Sequence, residues 1–246
     1  FLYFIDSTYA LYEYDLNNHK AYFIADMEAE ILRRGEVSSI IKQKTDYFIG
    51  FKSSGLIQLK YMPDSKVKYS LQSINVQSGI FCLMKDRFQD IIWVGADGQG
   101  LYMYFTDEFS IDNIMLDVPE YRVDNPVRAL YQDQDQTLWI GTKGGGILKM
   151  FDFHPDMETL PRAERILASN SPLMDNSVYS FAPSRRKLLW IGTESGLNYY
   201  SYSQKRIQEF PVMADGKMVK YVHSVRETND STLWVVSAGE GIVKII

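Results

Sequence analysis

One short phrase recurs six times along the chain with its aromatic, glycine and apolar positions in register, and it constrains the fold more than any other feature. The phrase reads apolar, Trp, apolar, Gly, then a turn, then Gly and a further apolar run. Its clearest copies are Leu138-Trp139-Ile140-Gly141-Thr142 leading to Gly146-Ile147, and Leu189-Trp190-Ile191-Gly192-Thr193 leading to Gly196-Leu197. Ile92-Trp93-Val94-Gly95 leading to Gly100-Leu101 keeps the frame. So does Leu233-Trp234-Val235-Val236 leading to Gly241-Ile242, where Val236 replaces the first glycine. Two earlier copies put Phe in the Trp slot: Phe48-Ile49-Gly50 leading to Gly55-Leu56, and Phe4-Ile5-Asp6 leading to Ala10-Leu11. The repeats are centred on Phe4, Phe48, Trp93, Trp139, Trp190 and Trp234, at spacings of 44, 45, 46, 51 and 44 residues, so all four tryptophans occupy one slot.

Each period holds four short strand-like runs separated by turn chemistry, and only Asp26 to Arg34 reads as a helical turn or two. In the fourth repeat the runs are Val127–Gln132, Thr137–Thr142, Ile147–Phe151 and Arg165–Leu167. Four antiparallel strands per ~45 residues make one blade of a β-propeller. The expected class is all-β: one propeller region over residues 1–246, with six blade repeats. Blades stack face to face, so a middle strand is covered on both sides and is free to be apolar at successive positions, as Leu138-Trp139-Ile140 is. The chain opens on a second strand and closes on a third, which gives three strands, four complete blades and three more. Incomplete terminal blades and a fragment of a larger propeller are the expectation.

The two glycines of the phrase have separate duties. Gly141 and its equivalents lack a Cβ where a neighbouring sheet must come close, whereas Gly146 and its equivalents supply the positive φ of a hairpin turn. Between them the residues vary: Lys52, Asp97, Lys143, Glu194 and Glu240. Variation at a structurally fixed turn is the pattern of a binding face built on loops, and equally of solvated turns.

Composition removes several function classes. With 26 Lys+Arg against 31 Asp+Glu, a net charge of −5, the chain has no basic footprint for nucleic acid or for a lipid surface. An apolar fraction of 46%, with 17 Tyr and 13 Phe, supplies a packed core. The single Cys82 excludes an intrachain disulfide and a Cys-rich metal site. No apolar run approaches the ~18 residues of a spanning helix, and residues 1–15 do not read as a signal peptide, so any anchor is expected outside this piece.

Catalytic and metal motifs are scarce. His19, His154 and His223 are far apart, without metal-ligand spacing. Asp133-x-Asp135 opens like a calcium loop but has Leu138 and Gly144 where Gly and Glu are needed, so it reads as a polar turn. Gly95-x-x-Gly98-x-Gly100 and Gly144-Gly145-Gly146 fall on repeat hairpins with no helix after them, and so are poor phosphate cradles. Neither a nucleophile elbow nor a catalytic dyad is evident; no catalytic residue, metal or cofactor is expected. Asn229-Asp230-Ser231 fits a glycosylation sequon by pattern alone.

The phrase resembles the two-component regulator propeller repeat, whose pattern runs roughly Asn-x-Val-x-x-Ile-x-x-Asp, then Leu-Trp-Ile-Gly-Thr-x-x-Gly-Leu. Asn125 before Val127, Asn176 before Val178, and Asp133 fit it. The resemblance covers most of the chain, strongly from Ile80 to Ile246 and weakly before Val37. It implies the periplasmic sensor part of a hybrid two-component protein of the kind found in gut Bacteroidota. Such a part is followed in the parent chain by a β-sandwich, a membrane helix, a histidine kinase and a DNA-binding regulator. It further implies recognition of an oligosaccharide and control of polysaccharide-utilisation genes, with no enzymatic activity in this piece.

Propeller geometry places a ligand on the face of the second-to-third-strand turns and the loops leading into each first strand: Tyr121–Arg128, Asn170–Tyr179 and Ala214–His223. Arg122, Asp124 and Arg128 offer charged hydrogen bonds, Asn176 an amide, and Tyr179 and Tyr221 rings for a pyranose. His223, Lys143 and Glu194 complete the candidate set. Asn125 and Asn176, as repeat positions, also fit a purely turn-stabilising role. Two rival readings stand beside the sensor: a propeller lyase or glycan-cleaving enzyme, and a scaffold for self-association through exposed sheet edges.

Overall fold

The computed structural model describes residues 1–113, 122–154, 161–228 and 232–246, so Tyr121 and the sequon Asn229-Asp230-Ser231 lie outside the described residues. The fold is an all-β propeller built of successive antiparallel sheets, each in simple meander order. The first sheet has three strands, Leu2–Ile5, Ala10–Asp15 and Lys20–Asp26. Four four-stranded blades follow, beginning at Val37, Ile80, Val127 and Val178, and then a three-stranded sheet, Val222–Glu227, Leu233–Ser237 and Gly241–Ile245. Among the described residues these blades have the strand tally read from the repeat. In the fourth blade the strands are Val127–Gln132, Leu138–Thr142, Ile147–Met150 and Ala163–Ile166.

Two elements depart from the meander. A seven-residue helix, Glu28–Arg34, carries Glu28 and Glu30 in its first turn and Arg33 and Arg34 in its last, which suits the helix dipole. Glu30 pairs with Arg33 and Arg34 at 2.6 and 2.7 Å. A short hairpin, Met213–Ala214 and Lys217–Met218, precedes the last blade. Its turn residues Asp215 and Gly216 are both left-handed, the chemistry an Asp-Gly dipeptide provides.

The chain divides into two compact bodies, Phe1–Asp97 with Tyr102–Asp112, and Gly98–Leu101 with Asn113–Ile246. The first is centred on Tyr47, Ile49, Phe51, Ile57 and Leu59, joined by Leu11 and Met27. The second holds Trp139, Ile147, Val178, Leu189 and Ile191 in one cluster, and Trp190, Leu197, Val222 and Val235 in another. The expected duties of the glycines are met here. A Cβ on Gly141 would stand 2.8 Å from Cγ1 of Val178 in the next blade, and one on Gly192 would collide with Val222 O. Gly146 has φ +69, and its α-carbon faces the Ile166 carbonyl.

Every complete or leading first strand carries a one-residue bulge at the same place. The ladder slips between Val37 and Ser39, Ile80 and Cys82, Val127 and Ala129, Val178 and Ser180, and Val222 and Ser224. The last sheet differs in burial: Leu233–Ser237 alternates buried and exposed, whereas Leu138–Thr142 is buried throughout. Trp139 is 1% exposed and Trp234 is 37% exposed. Val236, which replaces the first glycine of the phrase, is 38% exposed.

Candidate functional site

The face of interest is knitted from backbone. In the fourth blade the Lys143 N–H donates to Pro126 O at 2.9 Å, and in the fifth the Glu194 N–H donates to Ser177 O at 3.0 Å. Each turn thus grips the loop that leads into its own blade. It also grips the next one: Gly144 and Gly146 donate to Asn176 O at 3.1 and 2.8 Å, and Tyr221 donates to Glu194 O at 2.8 Å. Arg165 adds a strut that the sequence did not reveal, donating to Arg122 O at 2.7 Å and Gly145 O at 3.2 Å. Burial of its guanidinium lowers its proton affinity. In the last blade Ala238, not Glu240, takes the turn register, donating to Tyr221 O at 3.2 Å, while Glu240 accepts from Ser237 Oγ at 2.5 Å.

Four of the sequence-predicted residues converge in the second body. The Tyr179 ring stacks on His223 at 4.7 Å between centroids and 20° between planes. Its hydroxyl donates to Glu194 Oε2 at 2.8 Å. Burial first, and then the Glu194 carboxylate, push the Tyr179 phenol up to about 12, with the Arg128 guanidinium acting in the opposite direction. Arg128 therefore belongs to the same electrostatic neighbourhood. Asp175 frames the edge, accepting from Ser195 Oγ at 2.8 Å and Ser177 N at 2.7 Å.

The other candidates are placed differently. Tyr221 is exposed, adopts φ 50, and joins the cluster through its backbone bond to Glu194. Arg122 and Asp124 pair with each other at 2.7 Å, both side chains well exposed. Lys143 is exposed at the tip of its turn. Asn176 is engaged in the turn: its carbonyl takes the two glycine N–H groups and its Oδ1 accepts from Ala168 N at 2.8 Å.

At the other end of the blades the repeat aspartate has a structural duty. Asp133 Oδ1 accepts from Asp135 N and Thr137 N, and its Oδ2 accepts from Trp139 Nε1 at 3.0 Å. Asp86 does the same for Trp93 at 2.8 Å. Beside Asp133 opens a cavity of about 500 Å³ that also touches Lys149, Arg162, Tyr202 and Lys205. Lys149 is buried there with Nζ 4.7, 4.8 and 4.9 Å from the ring centroids of Trp139, Tyr200 and Phe151, and 3.3 Å from Glu164. No sequence motif signalled this cage, which three separate strands build. Among the described residues no group of three or more His, Cys, Asp or Glu is close enough together to hold a metal ion.

Comparison with known proteins agrees with the repeat. Residues 122–144 match the family described as two component regulator propeller. Over 178 residues, 71% of this chain, the sequence is 28% identical to Histidine kinase P4 of Formosa agariphila, of which the match spans 12%. Among solved structures, the extracellular domain of a hybrid two component system from B. thetaiotaomicron superposes with a TM-score of 0.69 at 20% identity, covering 99% of this chain and 32% of that one. The Cps50 (Swd1) β-propeller domain of Myceliophteria thermophila superposes with a TM-score of 0.63 at 9% identity, covering 96% and 76%. No helix among the described residues is long and apolar enough to cross a membrane. The chain is a β-propeller whose residues 122–144, in the blade that carries Arg128 and Lys143, match two component regulator propeller.

Proposed function

We propose that this chain is the ligand-sensing propeller of a two-component receptor, placed on the periplasmic side of the inner membrane, and that it recognises an oligosaccharide without transforming it. One observation carries the reading. The segment matching two component regulator propeller, residues 122–144, starts in the loop at Arg122 on the candidate face, crosses the blade and back through Val127–Gln132 and Leu138–Thr142, and ends in the turn at Lys143 on that face. Similarity to Histidine kinase P4 supports the signalling role, and likeness to an extracellular domain supports the location.

The ligand class rests on side-chain chemistry. A saccharide is bound by aromatic rings and directional polar groups, and the face offers Tyr179, Tyr221, His223, Glu194 and Arg128. The Tyr179 phenol, its proton held by Glu194 and its proton affinity raised, offers a sugar its ring and an acceptor lone pair, and does not act as a base. Signalling then needs only that the sugar bind one packing of the receptor better than another, shifting their populations. The kinase, the membrane anchor and the control of polysaccharide-utilisation genes belong to the remainder of such a receptor.

The test is a thermal-shift screen of the chain against host, plant and microbial oligosaccharides at millimolar concentration, with chromatography of each mixture. Binding to the native state raises the melting temperature by linkage. The expected result is a rise with one glycan class and no product. Product formation would assign an enzyme, and silence across the panel would overturn carbohydrate sensing.

A further inference from the structure

In the second body a slot tryptophan is covered by the sheet that follows it in sequence. Trp139 meets Phe181 and Tyr200 of the fifth blade at 6.2 and 4.8 Å between ring centroids, and the same Tyr200 ring lies 4.8 Å from Nζ of Lys149, the cross-strand partner of Trp139. Trp190 packs with Val222 and Val235 of the last sheet. Trp234 repeats the arrangement within its own sheet, with Lys244 as cross-strand partner and its Nζ 5.6 Å from the indole centroid, yet it stays exposed. Two rows cross that open face: Ser224, Val236 and Ile242, and then Arg226, Trp234 and Lys244, every one of them exposed. The first row is largely apolar and the second is made of hydrogen-bond donors. Among the described residues neither the Trp234 indole N–H nor the Arg226 guanidinium has a hydrogen-bond or charge partner.

The other blades indicate what completes that row. Trp93 and Trp139 donate to Asp86 and Asp133, the sixth residue after Ile80 and Val127 in their own blades. In the fifth blade that position is Ser184, and Trp190 donates instead to Glu227, the fifth residue after Val222 in the following sheet, at 2.9 Å. Arg186 shares that carboxylate at 3.3 Å. The fifth residue of the other first strands is Lys42, Lys85, Gln132 or Pro183, so an acid stands there only where the preceding tryptophan lacks its own aspartate. The last sheet has Thr228 at the aspartate position. A surface that covers Trp234 and Arg226 must therefore bring an acid, since burying either donor unpaired is costly.

We infer that the open face of the last sheet is the docking face for one further sheet of the same repeat, contributed by the receptor chain beyond Ile246. That sheet presents a carboxylate to Trp234 Nε1 and Arg226 from the fifth residue after its first-strand Val or Ile, and an aromatic ring over Lys244 from its third strand. Blade order supports this occupant, because each covering sheet in the second body is the next in sequence. Length supports it as well: the match takes up 12% of Histidine kinase P4 and 32% of the superposed extracellular domain. A second copy of this chain fits less well, since its first sheet has three strands and lacks the strand that would carry the acid. The inference stands independently of the ligand class proposed above.

Acrylamide quenching of tryptophan fluorescence tests this on the 246-residue chain and on the receptor chain extended through its next repeat. Each is measured beside its Trp234→Phe variant, for which Phe48 in the same slot is the precedent, so that the difference isolates Trp234. The expected result is strong quenching of that difference in the 246-residue chain and its loss in the extended one. Within the extended chain, replacing the acid at the fifth position by its amide should lower the melting temperature. That loss should not add to the loss from Trp234→Phe, as two groups sharing one bond require; Arg226→Gln takes the place of Trp234→Phe in the cycle if the latter does not fold. Unchanged quenching on extension, or a fifth residue that is not acidic, overturns the inference. Shielding of Trp234 already present in the 246-residue chain overturns it too, assigning the face to another part of this chain if independent of concentration and to a second copy if it grows with concentration.

Discussion

The indole Nε1 of Trp190 donates to Glu227 Oε2 at 2.9 Å, and Glu227 belongs to the following blade. Trp93 and Trp139 instead use Asp86 and Asp133 of their own blades. The reason is one substitution in the repeat: the position equivalent to Asp133 in the fifth blade is Ser184. A borrowed carboxylate restores the bond and ties two blades together. Burial pushes the Glu227 carboxyl up, but hydrogen bonds from Ser184 and Trp190 and the charge of Arg186 outweigh it and hold the carboxyl below its usual range.

Glu227→Gln is accordingly expected to cost about 1–3 kcal/mol at neutral pH, the range for a hydrogen-bonded charge. A depressed carboxylate stabilises the fold above its unfolded pKa, and that stability is lost as pH falls through the folded value. Urea denaturation at pH 7 and at successively lower pH reads both effects. The variant should show a shallower acid decline than wild type, and parallel declines would refute the assignment.

The glycines of the second strands should differ in how well they tolerate a methyl group. A Cβ on Gly192 meets backbone at Val222 O, whereas one on Gly141 meets Val178 Cγ1, a side-chain atom with room to adjust. Gly192→Ala is expected to exceed the ~1–3 kcal/mol of ordinary overpacking, and Gly141→Ala to fall within it. Denaturant midpoints of the two variants measure the order, and a reversed order would count against the register.

Tyr179 gives a spectroscopic handle on the candidate face. Its phenolate should appear near pH 12, and Glu194→Gln should bring it down. A raised folded pKa contributes stability that is full below the unfolded value of about 10 and is lost as pH rises through the folded one. Ultraviolet difference titration of wild type, Glu194→Gln and Tyr179→Phe resolves the step. An unchanged titration in Glu194→Gln would mean the hydrogen bond is not made in solution.

Lys149 should be replaceable by shape more easily than by truncation. Its stem packs among three rings and its partner Glu164 remains half-exposed, so Lys149→Met keeps the volume and leaves no buried charge behind. The expected change for Met is within about 1 kcal/mol, against about 2–5 kcal/mol for Lys149→Ala. Equal losses in thermal denaturation would show that the charge, and not the packing, matters.

The strands, the blade frame and the roles of Gly141 and Gly146 were legible because each depends on local chemistry repeated in register. The lysine cage was not, since it forms only when Trp139, Phe151 and Tyr200 converge from separate strands. Nor was the exposure of Trp234, which depends on what lies against its sheet and not on its own sequence. On the candidate face, residue types pointed to Tyr179, His223, Glu194 and Arg128, but not to their meeting. Arg128, Tyr179 and His223 each occupy a bulge, which has no signature in any single repeat. The commitment of Asn176 to two glycine N–H groups was foreseen as a turn role and is seen in the backbone bonds.

Glu194 reaches in two directions at once, holding Tyr179 through its carboxylate and the Tyr221 N–H through its carbonyl. Tyr221 in turn accepts from Ala238 in the turn of the last blade. A ligand competing for that carboxylate would therefore load a residue whose main chain is bonded to the next sheet, with no intervening flexible segment to absorb the strain. The turns of the fifth and last blades are thereby joined through two consecutive backbone bonds, Tyr221 N–H to Glu194 O and Ala238 N–H to Tyr221 O.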